Sequence, residues 1–127
     1  MQKYLYECNA NHGGAFATSQ ESDRLLEEAH AAMADLLNAA RPEEIVFGNN
    51  MTTLTLHLSR SIARTWQPGD EIVVTRLDHD ANINPWVLAA ADRGVKVTWI
   101  DFDVEDCTLK LEEIERALER RPRLLAF

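Results

Sequence analysis

The chain has 127 residues, 46% of them hydrophobic and 27% charged, with a formal net charge of −8. That length suits one compact domain, and the composition is ordinary for a soluble globular protein. The acidic balance leaves no basic footprint, which argues against nucleic acid and anionic membrane surfaces as partners.

No apolar run approaches the length of a membrane span, and the start (Met1-Gln2-Lys3-Tyr4) lacks a signal peptide's apolar core. Cys8 and Cys107 have neither CxxC nor zinc spacing, so a disulfide framework or a metal site is not expected. Two scattered cysteines fit a reducing cytoplasm, the expected location.

In chain order, residues 1–17 show no period, and Asn9, Asn11, Gly13 and Gly14 make them a loop by composition. A helix is expected from about residue 19, capped by Thr18 or Ser19, to about Ala39, with Leu25, Leu26, Ala29, Met33, Leu36 and Leu37 on one face. Arg41-Pro42 ends it, because proline disfavours a helical residue before it. Glu44–Phe47 reads as a short strand, and Thr52 to Trp66 as a helix with Leu54, Leu58 and Ile62 at four-residue steps. Gln67-Pro68-Gly69-Asp70 is a turn and Glu71–Thr75 a buried-type strand. A helix opens near Pro85 and stops at Gly94. Val95–Ile100 is the next strand, Lys110 to Arg120 a helix, and Arg123–Phe127 a further strand.

Strands alternating with helices predict an α/β fold, a mostly parallel sheet with flanking helices. Ligands of such sheets sit outside the carboxyl ends of the strands, where Asn49–Thr53 and Asp78–Asn82 both fall. The first of these opens a helix, so its free N–H groups and dipole favour a phosphate or another anion. The second brings the imidazole of His79. Neither pattern is specific alone: the first lacks the glycine spacing of a dinucleotide fold or a P-loop, and a plain βα turn has the same look. His12, His30 and His57 have no visible partners. Asp78, Asp80, Asp101, Asp103 and Asp106 do not fit an EF-hand and read as turn and cap residues.

Three stretches occur in order: Asn9-Ala10-Asn11-His12-Gly13-Gly14-Ala15-Phe16-Ala17-Thr18-Ser19, then Phe47-Gly48-Asn49-Asn50-Met51-Thr52-Thr53-Leu54-Thr55, then Pro68 to Asn82 with Pro85-Trp86. Together they resemble the class V aminotransferase family and, within it, the cysteine desulfurase-like proteins. The resemblance implies the large domain of a fold-type I enzyme that depends on pyridoxal 5'-phosphate. It further implies an amino-acid substrate and a homodimer with active sites near the subunit interface. Residue by residue, Met51 and Thr52 match the two positions that receive the cofactor phosphate. His79 matches the histidine that stacks on the cofactor ring and assists proton transfer, and Asn82, Pro85 and Trp86 match that motif's end as loop architecture.

The chain departs from the family's pattern in three places. Asn50-Met51 stands where desulfurases have Gly-Thr, so a backbone contact survives at Met51 and a hydroxyl contact does not. His79-Asp80 stands where the common motif has two histidines. The Schiff-base lysine, the aspartate on the pyridine nitrogen, the substrate-binding arginine and the nucleophilic cysteine of the family match nothing here. Lys3, Lys96 and Lys110 lie in no lysine motif. The expectation is therefore part of a desulfurase-like enzyme, with little catalysis alone and a tendency to associate. The competing expectation is a small non-catalytic α/β module that binds a phosphate-containing ligand.

Overall fold

The computed structural model describes residues 2–127. They divide into two compact units, one reaching to residue 47 and the other of residues 48–127.

The first unit is built on one long helix, α1 (Ala17–Leu37). The segment expected to be a loop is partly helical, with a π-type turn over Tyr4–Cys8 before the chain becomes irregular at Asn9. Helix α1 begins after Phe16, which supplies no side-chain cap. Neither expected cap, Thr18 or Ser19, sits at that position. Ser19 is fully buried, and its hydroxyl accepts from the Gly14 N–H (2.7 Å) and donates to the Asn11 carbonyl (2.6 Å). Burial without partners would be costly, so this serine serves the preceding loop and not the helix end.

The carboxyl end of α1 also differs from expectation. Asn38 adopts a left-handed conformation (φ 54°, ψ 37°), and the Ala39 N–H reaches back to the Ala34 carbonyl at 2.9 Å. That closure satisfies the last carbonyls before proline has any influence. Pro42 instead opens a 3-10 turn, Pro42–Glu44.

The strand expected at Glu44–Phe47 is absent. Ile45 is extended (φ −89°, ψ 129°), but the segment pairs with no strand among the described residues. Val46 is 75% exposed, and the Phe47 ring meets His30 edge-on at 4.8 Å. A short apolar run has strand character only when a neighbouring ladder takes up its backbone groups, and none does so here.

The second unit contains α2 (Met51–Ile62), β1 (Glu71–Thr75), α3 (Asn84–Arg93), β2 (Lys96–Ile100), α4 (Leu111–Glu119) and β3 (Leu124–Ala126). The three strands pair in the order β2-β1-β3, both pairs parallel, with Val73 opposite Thr98 on one side and Leu125 on the other. The centre strand alternates its side chains between two cores. Ile72 and Val74 join Trp66, Trp86, Ala89 and Ala90, while Val73 joins Ile100 and Ala117. Both faces of β1 are thus covered, as a parallel strand between helical layers requires.

Helix α2 buries an unexpected stripe. Of the apolar series Leu54, Leu58 and Ile62, the first and last are half-buried and Leu58 is 52% exposed, while Thr55, Ser59 and, just past the helix, Ala63 are buried. Small side chains let α2 lie close against α3, whose facing residues include alanines. The helix then tightens into a 3-10 turn, Ala63–Thr65. Helix α3 follows its sequence signals, with Pro85 in the first turn and Gly94 left-handed (φ 64°) after the last.

Candidate functional site

The turn Gly48-Asn49-Asn50 leads into α2, and Asn50 fixes the helix start. Its backbone is extended (φ −167°, ψ 167°), its side-chain oxygen accepts from the Thr53 N–H at 2.9 Å, and its carbonyl accepts from the Leu54 N–H at 3.1 Å. A helix leaves its first N–H groups without internal acceptors. Asn50 satisfies Thr53, and the N–H groups of Met51 and Thr52 have no partner among the described residues. Both residues are exposed, and the first turn of α2 carries no acidic side chain to occupy the positive end of the helix. A Cβ at Gly48 would run into the Leu54 side chain, so glycine lets the turn lie against the helix it starts.

His79 leaves the carboxyl end of β1 through Arg76-Leu77-Asp78 and is exposed. It opens a 3-10 turn, Asp80–Asn82, and its Nδ1 accepts from the Ala81 N–H at 3.0 Å. Asp78 holds this loop from both sides: one carboxylate oxygen accepts from the His79 N–H at 2.6 Å, the other from Asn82 Nδ2 at 2.5 Å. Asn82 in turn accepts from Trp86 Nε1 at 3.3 Å.

Helix α2 packs against Asp80–Asn82 and against α3. Arg60, near the end of α2, pairs with Asp92, near the end of α3, at 2.8 Å. That pair joins the carboxyl-terminal halves of the two helices, while the turn that His79 opens also packs on α2. Met51 and Thr52 thus open a helix that packs against the turn opened by His79. Of the aspartates read as turn residues, Asp78, Asp103 and Asp106 accept local N–H groups, Asp103 from Glu105 and Asp106 from Thr108 and its hydroxyl, whereas Asp101 pairs with Arg76 at 2.9 Å.

The amino edge of the same sheet carries a different chemistry, which the sequence did not reveal. Glu71, the first residue of β1, takes a bidentate contact from Arg120 (2.8 and 3.1 Å), a hydroxyl bond from Thr98 (2.5 Å) and the ammonium of Lys96 at 3.7 Å. The Arg120 guanidinium, seconded by the Thr98 hydroxyl and Lys96, holds the Glu71 carboxyl at about 2, against the opposing pull of partial burial. Asp70 beside it is lowered chiefly by the Gln67 N–H and then by Arg123. The signal available in sequence was a glutamate opening an otherwise apolar strand. Lys96 thereby sits at the edge opposite to the one from which the His79 loop leaves β1.

A parallel sheet flanked by helices, with a histidine loop after its central strand, makes this an α/β protein of the kind whose ligands sit at the carboxyl ends of the strands. The chain belongs to the class V aminotransferase family, whose model matches residues 1–127. It is 36% identical over 124 residues to a cysteine desulfurase of Pectobacterium carotovorum, covering 97% of this chain and 30% of that protein. Its fold matches an apo cysteine desulfurase from Thermococcus onnurineus with a TM-score of 0.88 at 28% identity, covering 98% of this chain and 30% of that one. It also matches a lysine-to-alanine variant of C-DES with glycine covalently linked to its pyridoxal phosphate cofactor. For that pair the TM-score is 0.55 at 25% identity, over 70% of this chain and 23% of that one. The chain thus spans about 30% of the length of the curated relative it matches.

Proposed function

We propose that these residues form the part of a pyridoxal 5'-phosphate-dependent, cysteine desulfurase-like enzyme that receives the cofactor's phosphate and contacts its ring. The observation that carries this reading is the start of α2, where Asn50 caps Thr53 and leaves the Met51 and Thr52 N–H groups free on a helix that packs against the turn opened by His79. The donor set fits a phosphate: two aligned N–H groups, the Thr52 hydroxyl, a helix dipole and no carboxylate in the first turn.

When bound, the cofactor supplies an electron sink for breaking bonds at an amino acid's carbons. The chain's own residues do the rest of what is proposed here. Met51 and Thr52 anchor the phosphate through their backbone donors, which need no lysine and so tolerate an acidic surface. Thr52 adds its hydroxyl, and Met51, lacking one, adds only its N–H. His79 presents a flat ring to the cofactor and holds a proton on its outward nitrogen. In this reading both units belong to the large domain of the enzyme, which is a cytoplasmic homodimer acting on a small amino acid. Lys96 is occupied by Glu71 and takes no part.

Equilibrium binding of pyridoxal phosphate measured beside pyridoxal, which lacks the phosphate, tests the reading. The phosphate form should bind at least about tenfold more tightly, as charge-assisted hydrogen bonds of this kind provide. Met51→Pro should erase most of that preference. Equal binding of the two compounds by the unaltered protein would reject the reading.

A further inference from the structure

The hydrogen bonds of the His79 loop admit one assignment of protons. Ala81 N–H can only donate, so His79 Nδ1 at 3.0 Å carries a lone pair and no proton. The single proton of the neutral ring is therefore on Nε2, which has no partner among the described residues. The Asp78 carboxylate can only accept and the Trp86 indole N–H can only donate, so Asn82 must turn its amide nitrogen to Asp78 and its oxygen to Trp86. Trp86 is 5% exposed and packs against Trp66 with ring centroids 6.5 Å apart. Asn82 Nδ2 also lies 3.5 Å from the Phe127 carbonyl, just past β3. A chain of directional bonds thus runs from the buried tryptophan pair through Asn82 and Asp78 to the backbone of His79.

We infer that Asp78 and Asn82 are positioning residues that lock His79 as its Nε2–H tautomer, leaving that nitrogen to donate to whatever occupies the carboxyl edge. Asp78 bridges the two ends of the turn, and Asn82 ties that bridge to the core, so the Ala81 N–H stays aimed at Nδ1. Without the bridge the turn loses its reason to close and Nδ1 becomes free to carry the proton. Only the identity of the occupant rests on the proposed cofactor role; the lock itself belongs to this chain.

The test is made without cofactor, on protein labelled with [15N]histidine, at a pH where the ring is neutral. Two-bond proton–nitrogen correlations report the tautomer, and hydrogen exchange at Ala81 reports the turn. The unaltered protein should show the Nε2–H form alone. In Asn82→Ala and Asp78→Asn the Nδ1–H form should appear, and Ala81 exchange should quicken roughly three- to tenfold, the loss of one ordinary hydrogen bond. Trp86→Phe keeps the apolar ring, removes only the indole donor and should act in the same direction; it also serves if a loop variant fails to fold. A predominant Nδ1–H form in the unaltered protein would overturn the inference. So would an unchanged tautomer and exchange rate in folded variants. Failure of phosphate-selective binding with the lock intact would reject the cofactor role and leave the lock standing.

Discussion

The two edges of the parallel sheet are made by the same strands and differ in what they leave unsatisfied. At the amino edge every strong charge has a partner: Glu71 with Arg120, Thr98 and Lys96, and Asp70 with Arg123 at 3.2 Å. At the edge where His79 leaves β1, the loop is held by Asp78 while the ring stays exposed; at the start of α2, which packs on the turn His79 opens, Asn50 caps a single N–H and the donors of Met51 and Thr52 stay open. A filled edge stabilises; an open edge is available for a ligand. On the proposed reading, the contrast lets a protein of net charge −8 present a place for an anion.

The comparison breaks first if the amino edge proves dispensable. Glu71→Ala should lower unfolding stability by about 1–3 kcal/mol, since it leaves Arg120 and Thr98 without their acceptor, and should leave phosphate binding unchanged. Urea denaturation beside a binding titration checks both halves. The pH dependence sharpens the same point. Glu71 is depressed from 4.5 to about 2, so its contribution is fully present above about 4.5 and fades as pH falls toward 2. The stability gap between the native protein and Glu71→Gln should therefore narrow over that window and not above it.

Met51→Pro tests the open edge with little structural disturbance. Proline is tolerated at the first helical position and accepts the extended Asn50 before it. Phosphate affinity should fall about tenfold, with the loss of one charge-assisted bond, while the melting temperature holds. Asn50→Ala should cost about 1 kcal/mol of stability, because it removes the cap on Thr53. Thr52→Val should have the smallest effect, a two- to fivefold loss of phosphate affinity from one hydroxyl donor. Comparable losses for Thr52→Val and Met51→Pro would mean that the hydroxyl and not the backbone carries the contact.

Legibility in the sequence followed the range of the forces involved. The run Glu71–Thr75 was readable to the residue because a β-branched stretch between a Pro-Gly turn and polar loop residues has few alternatives. Pro85 and Gly94 bracketed α3 through local backbone preference alone. Glu44–Phe47 failed because strand formation depends on a distant partner that the sequence does not display. The periodicity of α2 registered the helix and its half-buried Leu54 and Ile62, but not the burial of Thr55, Ser59 and Ala63, which are buried for their size, a property of close helix packing. At the site, the positions Met51, Thr52 and His79 came from resemblance. The Asn50 cap was implicit in the polar turn before a helix. The Asp78–Asn82–Trp86 bonds and the Glu71 cluster join residues whose geometry only the fold supplies.

The most direct measurement is a titration of inorganic phosphate, then pyridoxal phosphate, into 15N-labelled protein, followed at each backbone amide. The account predicts saturable shifts centred on Met51 and Thr52, with the His79 ring responding to pyridoxal phosphate and not to phosphate alone. Glu71, Lys96 and Arg120 should stay still. Saturable shifts centred on the amino edge, or none at Met51 and Thr52 while binding is measured, would contradict it.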